Sequence, residues 1–208
     1  MANYLEPLFT EPEIIEKIKT KLPVLFQLAE IDSSRAGKIG MEIGSVRERI
    51  IVALLMYKFG EENINTDIPI TEPETDVKLY SNPISIKTIS GNLGGVKLIW
   101  TVDPQKAFEF SNNYFPSVDM LLAQIKWGGV GALYYFPVTS QVKVFNQIKR
   151  ENYIKLPKQG TNPRGVEVTQ KALEKLTEEK NTKMIGISWK RGEANHGIYD
   201  RWIELWEN

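Results

Sequence analysis

The chain contains no cysteine among its 208 residues. Disulfide staples and thiolate-held zinc are therefore excluded, and the composition suits a reducing cytoplasm. His196 is the only histidine. That removes multi-histidine metal sites and argues against a Ser-His-Asp triad. Long hydrophobic runs are missing as well. The longest, around Ile50 to Tyr57, falls far short of the roughly 20 apolar residues a membrane span needs. No signal-peptide pattern stands out, so a cytoplasmic protein without membrane contact is expected. There is no net charge of either sign: 26 Lys and Arg balance 26 Asp and Glu. A neutral total is not typical of a nucleic-acid binder.

What is present is ordinary in amount and uneven in distribution. With 42% hydrophobic and 25% charged residues, the chain reads as globular and large enough for one domain with a real core. Acids crowd into Glu72-Pro73-Glu74-Thr75-Asp76. Residues 143–158 instead carry Lys143, Lys149, Arg150, Lys155 and Lys158 against Glu151. A zero total can therefore hide a basic cleft around an acidic centre.

Periodicity predicts helices over 12–28 (interrupted at Pro23), 45–59, 117–126, 141–150 and 169–180, and strands over 77–80, 84–89, 96–102, 131–138 and 184–190. In the clearest helix Val46, Ile50, Ala53, Leu54 and Tyr57 recur at helical spacing, and Gly60 ends it. Residues 33–40, 66–74 and 158–164 read as loops, 81–83 as a turn, and 199–206 as a strand or short helix. This order implies α/β or α+β architecture with a mixed central sheet, without repeats or a clear domain boundary.

The chemistry concentrates at Asp76 and at Ser85-Ile86-Lys87. Alternation along 84–89 puts Ser85 and Lys87 on one face and the isoleucines on the other. An acid at the end of one strand, faced by a lysine on the next, can hold a divalent metal beside an activated water. That is the core of a metal-dependent phosphodiesterase.

The residues that carry this pattern also resemble a known family. Gly44-Ser45-Val46-Arg47-Glu48-Arg49-Ile50-Ile51, running on to Leu54-Leu55, looks like the first core helix of the PD-(D/E)xK nucleases and is similar to that of archaeal Holliday-junction resolvases. Asp76 matches the family aspartate, and Ser85-x-Lys87 matches its (D/E)xK strand. The resemblance implies a single nuclease domain over 1–208: an N-terminal helical extension over 1–43, a catalytic core over 44–138, and additions over 139–208 for DNA recognition and dimerisation. It implies a type II restriction endonuclease that cuts double-stranded DNA with Mg²⁺ as a homodimer. Asp76, Glu48 and the Ile86 backbone carbonyl would hold the metal, and Lys87 would orient the water. Ser85 departs from the pattern, because serine is a poor ligand where the family has a second acid. Glu48 is the natural replacement donor, and the departure favours a single-metal site over a two-metal one.

Other readings of the same residues stay open. Glu42 competes with Glu48 as the third acid. Ser45-x-x-Glu48 fits a capping box, Asp76 can cap a turn after Pro73, and Lys87 can be a plain surface lysine. For DNA contacts, the loop with Gln159, Asn162 and Arg164 offers base-edge donors. Lys190, Arg191, Asn195 and His196 form a second polar cluster suited to phosphate. The five tryptophans are expected in the core or at a dimer contact. The rival functions are a structure-specific resolvase or repair nuclease, and a non-catalytic DNA-binding module with a degenerate core.

Overall fold

A computed structural model describes residues 4–35, 38–39, 43–101, 103–156 and 165–193. The chain opens with α1 (Glu6–Thr10) and α2 (Pro12–Asp32), then a short hairpin of β1 (Ser34–Arg35) and β2 (Lys38–Ile39). Next come α3 (Ile43–Phe59), β3 (Ile64–Asn65), β4 (Val77–Leu79), β5 (Asn82–Ser90), β6 (Val96–Ile99) and α4 (Pro104–Asn113). The second half runs β7 (Asp119–Ile125), β8 (Gly129–Phe136), α5 (Val138–Ile148), α6 (Arg150–Tyr153), β9 (Ile154–Lys155), β10 (Val166–Val168), α7 (Gln170–Glu178) and β11 (Lys183–Trp189).

The central sheet has six strands in the order β11-β8-β7-β5-β4-β3. β5 and β7 run parallel, and the remaining pairs are antiparallel. The sheet is therefore mixed, in an α+β frame, as the sequence implies. One face carries Ile84, Ile86, Leu121, Ala123, Leu133, Ile185 and Trp189 against α1, α2 and α3. The other carries Met120, Leu122, Ala132, Tyr134 and Phe136, packed against α5, α7 and a small sheet of order β6-β10-β9.

This two-sided burial explains a misreading. Residues 117–126 read as a helix, yet Asp119–Ile125 is β7, the innermost strand, buried from Met120 onward. Odd and even positions both meet a core, so Met120-Leu121-Leu122-Ala123 shows no alternation, and a continuous apolar run cannot be told from a helix by period alone. Two further differences have equally local causes. α2 runs unbroken through Pro23, which is itself buried, so packing outweighs the break that proline favours. The turn between β4 and β5 is Tyr80-Ser81, both left-handed (φ 49° and 67°). That is the two-residue geometry matching the twist of paired strands, and Asn82 already belongs to β5. Among the described residues no helix is long and apolar enough to cross a membrane.

Candidate active site

Asp76 enters at the start of β4, and its own N–H donates to the Ile84 carbonyl (2.9 Å). That bond fixes the side chain against β5. Asp76 Oδ2 accepts hydrogen bonds from the Ile86 N–H at 2.6 Å and from Lys87 Nζ at 2.9 Å, with the Ser85 hydroxyl at 3.4 Å. β5 supplies these groups because its alternation buries Ile84 and Ile86 in the core and turns Ser85 and Lys87 toward Asp76. The carboxylate is thus held by the strand, and is not spent on capping a turn after Pro73. Lys87 is no surface lysine: its side chain is only 12% exposed.

α3 brings the second acid. It begins at Ile43, so Ser45 lies inside the first turn and cannot cap it from outside, and the capping-box reading of Glu48 falls away. The helix is apolar nearly all round. Its fully buried stripe is Arg47, Ile51 and Leu55, one position on from the expected Val46, Ile50 and Leu54. Tyr57 is exposed. Glu48 neighbours that stripe and faces the charges of Lys87 and Asp76. Burial pushes its carboxyl up to about 7; Lys87 pulls it down and Asp76 pushes it further up.

Arg47 anchors the same helix. Its guanidinium donates to Glu30 in a buried ion pair and to the Ser90 hydroxyl at 3.2 Å. Glu30 also accepts from Trp127 Nε1 at 2.8 Å and from Arg191, whose guanidinium lies 4.3 Å from the centre of the Trp127 ring. Arg191 is therefore committed to α2, while Lys190 beside it is exposed. The register of the helix that carries Glu48 is fixed by this network.

Glu48, Asp76 and Lys87 share a cleft of about 760 Å³ that is also lined by Lys97, Ile99, Trp100 and Glu167. Burial raises Glu167, but hydrogen bonds from Lys97 and Lys155 outweigh it and hold the carboxyl below its ordinary value. Sequence reasoning missed one acid, which lines a neighbouring hollow with Phe110 and Tyr114 and still feels the charge of Lys87. Glu74 is pushed up to about 7 by burial, while Lys87 acts on it in the opposite sense. No periodicity could have revealed it, because it lies in a turn closed by the Thr75 N–H on the Glu72 carbonyl (3.0 Å). Its one signal was the acid-rich approach to Asp76.

The remaining candidates separate from this centre. Glu42, Gln159, Asn162, Arg164, Asn195 and His196 lie outside the described residues. Of the tryptophans, Trp189 is core and Trp127 packs against it, Trp202 and Trp206 lie outside the described residues, and Trp100 is 69% exposed, which excludes the core half of its expected placement. No group of three or more His, Cys, Asp or Glu side chains with metal-holding geometry occurs among the described residues. Glu48 and Asp76 are nevertheless oxygen donors facing a common space, and Mg²⁺ keeps several waters and needs only one or two protein carboxylates. The donor chemistry fits such an ion.

A family model for restriction endonuclease ThaI matches residues 8–208. The chain belongs to the ThaI restriction endonuclease family. A solved structure described as a restriction endonuclease in complex with substrate DNA is 52% identical to it, with a TM-score of 0.91 and coverage of 99% of this chain and 99% of that chain. No protein with a curated description matches. As a member of the ThaI family the chain is a type II site-specific nuclease, and its fold is that of a restriction endonuclease. The non-catalytic alternative therefore drops out.

Proposed function

We propose that the cleft receives double-stranded DNA and that Glu48, Asp76 and Lys87 hydrolyse a phosphodiester bond there at a specific sequence, with Mg²⁺. The observation that carries this reading is the contact of Lys87 with Asp76, with Glu48 facing both on one cleft. Asp76 and Glu48 would hold the ion, with the Ile86 carbonyl beside them as the third protein oxygen. When bound, such an ion lowers the pKa of a coordinated water and screens the phosphate. Lys87 does the rest from the protein side. Its ammonium, held by Asp76 at 2.9 Å, orients the attacking water and donates to the phosphate oxygen on which negative charge develops. Water oxygen bonds to phosphorus, one ester P–O bond breaks, and the leaving oxygen takes up a proton. Ser85 adds no charge; its hydroxyl at 3.4 Å helps to place Asp76.

Recognition belongs to the polar segment between β9 and β10, where Gln159, Asn162 and Arg164 can reach base edges. Lys190, Asn195 and His196 are assigned to phosphate. Arg191, tied to Glu30 and Trp127 but half-exposed beside Lys190, can serve the same phosphate. The whole chain acts as one nuclease domain, and two copies related by a two-fold axis suit a palindromic site.

Incubation of the purified chain with long duplex DNA, in Mg²⁺ or in EDTA, tests this. Discrete fragments in Mg²⁺ and none in EDTA are the expected result. Equal cutting in EDTA would remove the metal, and no cutting with any divalent ion would remove the catalytic assignment.

A further inference from the structure

Trp100 is out of place for a tryptophan. It follows the end of β6, lines the cleft that holds Asp76 and Lys87, and leaves 69% of its surface in water. Its backbone is firmly held. Ile99 pairs with Val166 across the small sheet. Gly165, at φ +101°, approaches so closely that a Cβ there would fall 1.7 Å from the Ile99 carbonyl oxygen and 3.1 Å from the Trp100 Cα. Only glycine fits, so the strand end that presents the indole is closed in by Gly165, next to β10. Lys97 sits three positions earlier, with its ammonium 5.5 Å from the indole centre. Glu167 holds that lysine at 2.7 Å and Lys155 at 3.0 Å. A water-exposed aromatic with a positioned cation beside it, lining the same cleft as Glu48 and Asp76, is a surface suited to a nucleic-acid ligand. Aromatic faces take up bases and sugars, and cations take up phosphates.

We propose that Trp100 is a DNA-positioning residue. It packs on the base or deoxyribose beside the phosphodiester held at Asp76 and Lys87, and Lys97 contacts the adjoining phosphate. The inference rests on the reading of the cleft as the DNA site. An indole in that place sets how deeply the duplex enters, and so where the reactive phosphate comes to rest.

The test uses the full chain carrying Lys87→Ala, so that duplex DNA is bound and not cut, with a labelled duplex as probe. Trp100→Ala is expected to weaken binding roughly tenfold, and Trp100→Phe to restore most of it. Intrinsic tryptophan fluorescence should be quenched when duplex is added, and Trp100→Phe should abolish most of that quenching. Melting temperatures should not change, since the exposed side chain supports no core. Unaltered affinity in Trp100→Ala, together with quenching that survives Trp100→Phe, would overturn the inference. Failure of the parent protein to bind any duplex would overturn the cleft reading itself, and this inference with it.

Discussion

Lys87 Nζ lies 2.9 Å from Asp76 Oδ2, and that same oxygen accepts the Ile86 N–H at 2.6 Å. One carboxylate thus fixes both the lysine and the strand that carries it. Lys87→Ala is expected to lower the cleavage rate roughly 100- to 1000-fold, the usual loss when a donor to developing charge is removed. Asp76→Ala should be at least as severe. Affinity for duplex DNA should change little in either, because affinity comes mainly from phosphate and groove contacts. Parallel cleavage and binding assays check this; a loss of binding equal to the loss of rate would make both residues structural.

Glu48 and Glu42 can be told apart directly. Glu48 faces Lys87 and Asp76, so Glu48→Gln is expected to lose Mg²⁺-dependent cleavage while Glu42→Gln keeps it. The reverse pattern in a digestion time course would move the third acid to Glu42.

Glu48 and Glu74 each hold a proton up to about pH 7, against an ordinary value of 4.5. Between those values the folded chain binds more protons than the unfolded chain. Its metal-free stability therefore falls as pH rises through that window. A cation at Glu48 relieves part of this cost. Adding Mg²⁺ should raise Tm more at about pH 8 than at about pH 5. Thermal melts that shift equally at both would detach Glu48 from the metal.

Much of the centre was legible in the sequence, for a definite reason. On β5, Ile84 and Ile86 face the core and Ser85 and Lys87 face Asp76, as the alternation implies, but Ile89 departs from the other isoleucines and lines the cleft, and Ser85 is itself buried. β7 is buried on both faces, so its pattern is silent. α4 carried a readable start that was overlooked: Asp103 caps it by accepting from the Gln105 and Lys106 N–H groups, with Pro104 next. The burial of Glu74 and the exposure of Trp100 depend on a turn and on a strand end meeting Gly165, contacts between distant parts of the chain that no local spacing encodes.

Glu30 receives Arg47, Arg191 and Trp127 together, with 3% of its side chain exposed. Glu30→Ala leaves the buried Arg47 charge without its partner. It is expected to cost about 3–5 kcal/mol of stability and to free α3, lowering cleavage as a consequence. Urea unfolding measures the first effect; a change below about 1 kcal/mol, the level of a surface pair, would show the network to be dispensable.

Whether this cleft cuts DNA at a chosen sequence is tested most directly by the sequence of the fragment ends. After digestion of plasmid and phage DNA in Mg²⁺, every end is expected to fall at a fixed place in one short recognition sequence, palindromic about its own centre if the enzyme acts as a two-fold dimer. Ends scattered without a common sequence would contradict the claim.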